Sequence, residues 1–310
     1  MSRAARTGLA LYDRTARDAA ATVITAYSTS FGLACRLLGP RVRGHVRSIY
    51  ALVRVADEIV DGPAAEAGMD QAAEREVLDA LEAETMAAIA RGFSANLVVH
   101  AFALTARECG IGADQIAPFF TSMRTDITQA AHDRASHDAY VYGSAEVVGL
   151  MCLQVFVNAG RAHPIAPDPA LVDGARRLGA AFQDVNFLRD IEDDTAALGR
   201  DYLGDRNSTV RRAEVLARID ADLAAAAAVI PALPADSRRA VRLAHDLFAE
   251  LAARLRRDSP PYTRVRVPDP VKALIAARAF SGRLSRSSPS RDSGESRVTT
   301  SSATDKDVPA

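Results

Sequence analysis

Asp57 and Asp61 close the segment RSIYALVRVADEIVD (47–61), and Asp190 and Asp194 close AAFQDVNFLRDIEDD (180–194). Each pair is spaced four residues apart in otherwise apolar sequence that reads as helix. At 100° per residue, Tyr50, Arg54, Asp57 and Asp61 fall within a sector of roughly 60°, and Gln183, Asn186, Asp190 and Asp194 within roughly 80°. Each predicted helix therefore carries one narrow polar stripe. Around the first stripe, Ile49, Leu52, Val53, Val55, Ala56, Ile59 and Val60 cover nearly every other direction. Such a helix is buried on most sides, with its acidic stripe facing a cavity rather than bulk water. A lone Asp pair at this spacing is ordinarily a solvated helix face. Two of them, each beside an Arg and set in aliphatic sequence, point to one shared site.

Carboxylates facing one another across an enclosed space repel and take up protons unless cations hold them ionised. Divalent metal is the simplest remedy, and magnesium prefers a few carboxylates together with waters and substrate phosphate oxygens. Asp57 and Asp61 on one wall, with Asn186, Asp190 and Asp194 on the other, suit a magnesium cluster that grips diphosphate. Manganese is an acceptable substitute. Arg54 and Arg189 supply guanidinium donors that match phosphate oxygens in pairs.

The elements that must position these groups are helical. Ala, Leu, Arg and Glu dominate the 310 residues, 48% of the chain is hydrophobic, and breakers such as Gly39-Pro40, Gly62-Pro63 and Pro164 to Pro169 bound the periodic segments. The expected class is all-α. Periodicity predicts helices over 13–37, 40–61, 69–90, 95–108, 113–130, 142–160, 169–194, 209–230, 236–257 and 269–280. With no interior linker, 1–282 is read as a single helical domain. The remainder, 283–310, is rich in Ser, Thr and charge and reads as a disordered tail.

A net charge of -1 gives no reason to expect nucleic acid as a partner. Three widely spaced cysteines, Cys35, Cys109 and Cys152, fit free thiols in a cytoplasmic setting better than a disulfide framework. Charges interrupt every apolar run near the N-terminus, so no secretory signal is read there. The longest apolar run, 147–157, is shorter than the 18 to 20 residues or so that span a bilayer. His132 and His137 sit in polar sequence and read as solvated loop residues rather than metal ligands. Gly143, Ser144, Ala145 and Gly149 are small enough to let a helix approach a neighbour or a ligand closely, and Glu146 is out of place among them.

These motifs resemble the squalene/phytoene synthase family of head-to-head prenyl transferases, over about residues 12–280 and in the family's order. The elements are YSTSFGLACRLL (27–38), YALVRVADEIVD (50–61), YVYGSAEVVGLM (140–151), QDVNFLRDIEDD (183–194), GRDYL (199–203) and TRVRVPDPVK (263–272). The resemblance implies an isoprenoid-synthase helical bundle around a central cavity. It also implies metal ligands at Asp57, Asp61, Asn186, Asp190 and Asp194, the four aspartates being catalytic. Substrate contacts are implied at Ser28, Ser30, Phe31, Tyr50, Arg54, Gln183 and Arg189, and at Arg264 and Lys272 in the basic stretch. From the residues alone, Ser28 to Phe31 read only as a helix interruption or cap.

The activity implied is condensation of two geranylgeranyl diphosphates through a cyclopropyl diphosphate to phytoene, releasing diphosphate, in carotenoid biosynthesis. No NADPH is expected. The partners implied are the prenyl diphosphates, a membrane surface touched peripherally, and a downstream carotenoid desaturase that receives the product. Squalene or dehydrosqualene synthesis from two farnesyl diphosphates is the rival reading on the same scaffold. A non-catalytic assembly or lipid-binding relative is the rival of another class, opposed by the intact aspartate pairs. By resemblance, the chain departs from many relatives in having Glu146 for Gly and Gly204 for Pro, and from some in having Leu247-Phe248 near where a Tyr is found.

Overall fold

Proline and glycine set the joints of a helical chain. A computed structural model describes residues 8–28, 30–128, 133–198, 209–257 and 266–281, with side chains undescribed at 30, 190–198, 209–211, 280 and 281. The helices are α1 Gly8–Tyr27, α2 Ser30–Arg36, α3 Pro40–Val60, α4 Pro63–Glu66, α5 Gln71–Arg91, α6 Leu97–Cys109, α7 Ala113–Thr128, α8 Arg134–Val141, α9 Val147–Asn158, α10 Pro169–Leu198, α11 Thr209–Val229, α12 Ala235–Arg257 and α13 Asp269–Ser281. A π-turn, Tyr142–Glu146, joins α8 to α9, and a 3-10 turn, Ile230–Ala232, follows α11. Among the described residues there is no strand, so the all-α expectation holds. The expected tail at 283–310 lies outside the described residues.

Local chemistry explains the ends. Pro40 opens α3, where its missing N–H is no loss. Asp70 and Asn96 cap α5 and α6 by accepting hydrogen bonds from Ala73 and from Val98 and Val99. Gly110, with φ of 76°, ends α6 in the left-handed region.

Three expectations are corrected. The helix predicted over 13–37 is broken after Tyr27, because the Ser28 hydroxyl accepts from the Phe31 N–H at 3.1 Å and starts α2 afresh. His137 is not a solvated loop residue. It lies in α8 and is 1% exposed, because the helical period places it with Tyr140 on the buried face while Asp133, Arg134 and Asp138 stay in solvent. His132 lies outside the described residues. Finally, the apolar run at 147–157 belongs to a continuous helical stretch from Arg134 to Asn158, long and apolar enough by length and composition to cross a membrane. In the fold this stretch packs on protein, with Val147, Met151, Leu153, Val155 and Phe156 buried.

Small residues permit that packing. A Cβ on Gly149 would fall 2.6 Å from the Ala175 carbonyl oxygen, and one on Gly179 would fall 2.6 Å from that of Ala145, so α9 and the π-turn before it meet α10 backbone to backbone. A Cβ on Gly143 would lie 2.1 Å from Ser122 Oγ and 2.3 Å from the Pro118 carbonyl oxygen. Gly143→Ala is therefore expected to destabilise the protein by about 1–3 kcal/mol, the usual range for overpacking. A thermal melt of the variant matching that of the parent would contradict this close approach.

Phe102, Phe119, Phe120, Ile49 and Leu52 anchor one core cluster, and Val185, Phe187, Ile219 and Phe248 a second. Side chains from both clusters line a single large cavity of about 1150 Å³, reached by residues of α1, α2, α3 and α7 to α13.

Candidate active site

The α3 stripe reaches the cavity as its spacing requires: Tyr50, Arg54, Asp57 and Asp61 all line it. From α10, Gln183, Asn186 and Arg189 line the same space. Asp190 and Asp194 continue that helix, but their side chains lie outside the described residues, as does that of Ser30. Ser28 and Phe31 line the cavity from the joint between α1 and α2. Arg264 lies outside the described residues. Its neighbour Arg266 lines the cavity, and so does Lys272, which pairs with Asp269 at 3.2 Å.

Burial and crowding of negative charge push the Asp57 carboxyl up to about 8. Desolvation is the largest cause, followed by Asp61; Arg54 opposes the shift, and Asp126 adds to it. Asp126, on α7, is the acidic residue that sequence spacing did not reveal. It is buried, it lines the cavity, and it accepts a 2.7 Å hydrogen bond from the Tyr140 hydroxyl. Only tertiary packing of α7 against α3 and the π-turn region brings it into range. Burial also raises the Tyr50 phenol, while Arg54 and a hydrogen bond with Ser28 work in the opposite direction. Ser28 thus serves twice, as the cap of α2 and as a partner of Tyr50.

Arg54 pairs with Glu58 one turn on and lies 4.7 Å over the Tyr27 ring, while its Nε is buried without a hydrogen-bond partner. A buried donor left unsatisfied is costly, so this guanidinium is held ready for an acceptor.

The remaining walls are apolar. Phe31, Phe182 and Phe248 form one aromatic group, with Phe182 and Phe248 stacked at 3.8 Å and Phe31 5.9 and 5.8 Å from them. Leu247 and Phe248, the pair at which a Tyr was expected by resemblance, both line the cavity, and ring stacking holds Phe248 in place without a hydroxyl. Phe187 lines the cavity, whereas its neighbour Leu188 is buried in the core cluster behind it. Val148, Gly149, Cys152, Leu153 and Phe156 supply an apolar face from α9. Glu146 turns away to a 2.7 Å ion pair with Arg176 on α10; burial raises its carboxyl and Arg176 counters the shift. Gly204 and the GRDYL motif lie outside the described residues.

Among the described residues no group of three or more His, Cys, Asp and Glu side chains forms a ready metal cage. The donor set still fits a magnesium ion that shares its coordination with substrate oxygens. Asp57, crowded by burial and by Asp61, keeps its proton near neutrality without a cation, and Asn186 offers a neutral oxygen from the facing helix.

Residues 24–208 match the Squalene/phytoene synthase family. The chain belongs to that family. A 15-cis-phytoene synthase of Paracoccus sp. (strain N81106 / MBIC 01143) is 33% identical over 186 residues, 58% of this chain and 57% of that protein. Phytoene synthase 2, chloroplastic, of Solanum lycopersicum is 30% identical over 189 residues, 61% of this chain and 58% of that protein. The chain thus spans a little over half the length of these curated relatives. A dehydrosqualene synthase solved with a ligand superposes with a TM-score of 0.71 at 20% identity, covering 88% of this chain and 98% of that one. A squalene synthase from Alicyclobacillus acidocaldarius gives 0.68 at 21%, covering 82% and 97%. These likenesses establish the all-α isoprenoid-synthase fold of the squalene/phytoene synthase family over most of the chain.

Proposed function

We propose that this chain is a magnesium-dependent prenyl transferase that joins two geranylgeranyl diphosphates head to head, through a cyclopropyl diphosphate, into phytoene. The observation that carries the reading is a crowded acidic wall, Asp57 and Asp61 beside Arg54, set into a cavity whose other walls are aliphatic and aromatic. At about 1150 Å³ the cavity is larger than the roughly 300–1,000 Å³ of ordinary small-molecule pockets, as two long hydrocarbon chains require.

Bound magnesium would supply charge neutralisation to the departing diphosphate. Asp57, Asp61 and Asn186, with Asp190 and Asp194, would hold it. Arg54 and Arg189 would contact the diphosphate oxygens and stabilise the negative charge that grows as the allylic carbon–oxygen bond breaks. The bonding electrons leave with diphosphate, and an allylic cation remains. The double bond of the second substrate attacks that cation, and loss of a proton closes the cyclopropane. A second ionisation at the same polar wall, rearrangement and a further proton loss give the hydrocarbon.

Water would quench each cation, so the apolar walls must exclude it. Phe31, Phe182 and Phe248 present ring faces that favour positive charge. In this reading the enzyme is cytoplasmic, touches a membrane peripherally and passes its product to a carotenoid desaturase. Sequence likeness to phytoene synthases supports the forty-carbon product. The solved squalene and dehydrosqualene synthases favour the alternative, a thirty-carbon product from two farnesyl diphosphates, on fold alone.

Purified protein incubated with magnesium and either diphosphate, with and without NADPH, followed by mass spectrometry of the extract, separates these readings. Phytoene from the longer substrate without NADPH is the expected result. A thirty-carbon product would transfer the protein to the alternative, and no product from either would revive a non-catalytic role. Chelation of divalent metal is expected to abolish turnover, with magnesium or manganese restoring it. Undiminished product formation in excess EDTA would remove the metal from the mechanism.

A further inference from the structure

Behind the cavity wall lies a polar cluster that the proposed chemistry does not use. Asp184 on α10 is 1% exposed. Arg218 on α11 grips it with both arms, Nε to Oδ2 at 2.8 Å and one terminal nitrogen to Oδ1 at 3.0 Å. His137 on α8, also 1% exposed, places Nε2 3.0 Å from Asp184 Oδ1 and 2.9 Å from the Arg218 guanidinium. Arg218 also reaches Asp138 at 3.2 Å. Three helices, α8, α10 and α11, therefore converge on one buried carboxylate.

Asp184 adjoins Gln183 in sequence but stands about 160° around the helix from Asn186, at 100° per residue. It holds α10 from the back while Gln183, Asn186 and Arg189 face the cavity from the front. The cluster also reaches the acidic wall by packing. The His137 ring lies 5.5 Å from Phe187, Phe187 lies 5.9 Å from Tyr140, and the Tyr140 hydroxyl donates to Asp126.

Stability alone does not explain such a cluster. Well-packed apolar side chains in place of a buried ion pair are often neutral or stabilising, and the best-attested use of such pairs is to specify register. We infer that Asp184, clamped by Arg218 and His137, is a positioning residue that fixes the rotation of α10 and so aims Gln183, Asn186 and Arg189 at the diphosphate. The inference rests on the diphosphate reading proposed above.

The test is the double variant His137→Leu/Asp184→Leu, with Asp184→Asn as a shape-preserving companion. Thermal melts, calorimetric binding of manganese with inorganic pyrophosphate, and kcat and KM with geranylgeranyl diphosphate are compared with the parent. The double variant, which leaves Arg218 only its Asp138 contact, is expected to melt below the parent but stay folded, and to bind manganese–pyrophosphate about 10- to 100-fold more weakly, the usual effect of losing a partner that orients metal ligands. Asp184→Asn, which keeps the shape but loses the charge, is expected to fall between them. A folded double variant with parent-like pyrophosphate binding and kcat/KM overturns the positioning role. Where the double variant does not fold, Asp184→Asn with parent-like binding overturns it equally. A parent that binds neither manganese nor pyrophosphate sinks the diphosphate reading itself, and the clamp's purpose with it. A parent that binds both while the variants match it sinks the clamp alone.

Discussion

Asp57→Asn is expected to lower turnover by about 10²–10³-fold, the effect of removing one preorganised electrostatic contact from a transition state. It is also expected to raise the melting temperature of the metal-free protein at pH 8. The two effects have one cause. Asp57 is half-buried in the cavity wall and crowded by Asp61 and Asp126, so its charge is unfavourable until a cation arrives. Asn keeps the shape, removes that repulsion and gives up the charged ligand. Combining Asp57→Asn with Asp190→Asn should abolish turnover while leaving the fold, because it takes one ligand from each wall. Full activity in the double variant would refute the metal assignment. Reduced activity without a gain in metal-free stability would instead show that the carboxylates are not crowded as the structure places them.

Why was so much of this site legible in the sequence? Helical periodicity converts spacing into direction. Tyr50, Arg54, Asp57 and Asp61 share a face whatever packs around them, and aliphatic residues on the other faces require that face to open onto an enclosed space. All four do line the cavity, together with Gln183, Asn186 and Arg189. The breakers were equally informative: Gly39-Pro40 and Gly62-Pro63 open α3 and α4 through the backbone within one turn, so their effects do not depend on the tertiary fold.

What spacing could not supply is anything set by contact between distant segments. Asp126 sits singly in α7 with no acidic partner at helical spacing, and becomes part of the site only because α7 packs beside α3. His137 was misplaced for the same reason. Its polar neighbours describe the solvent face of α8, while its own burial depends on Asp184, 47 residues on, and on Arg218 beyond that. Phe182 gives no periodic signal, yet it stacks on Phe248 from another helix and makes an aromatic wall of the cavity. Glu146 looked anomalous in a small, apolar run until Arg176 supplied its partner across α10.

The stability of the metal-free protein is expected to fall as pH rises from about 5 to 8, and magnesium is expected to reverse the fall. An ordinary aspartate loses its proton near about 3.9. In the folded chain Asp57 loses its proton only at about 8. Between those values the native state keeps a proton that the unfolded chain has already released. Stability therefore declines with rising pH, by at most about 1.4 kcal/mol per pH unit for one proton. Among the described residues, the groups acting on Asp57 are Arg54 on its own helix, Asp61 at that helix's end and Asp126 from α7, and of these Arg54 opposes the shift. Magnesium requires the ionised carboxylate, so its binding expels the proton and tightens as pH approaches 8. Melts of metal-free and magnesium-loaded protein across this range should diverge steadily, whereas the two series for Asp57→Asn should run nearly parallel. Parallel series in the parent would show that Asp57 is already ionised without metal, and would remove the crowding that links its stability to its chemistry.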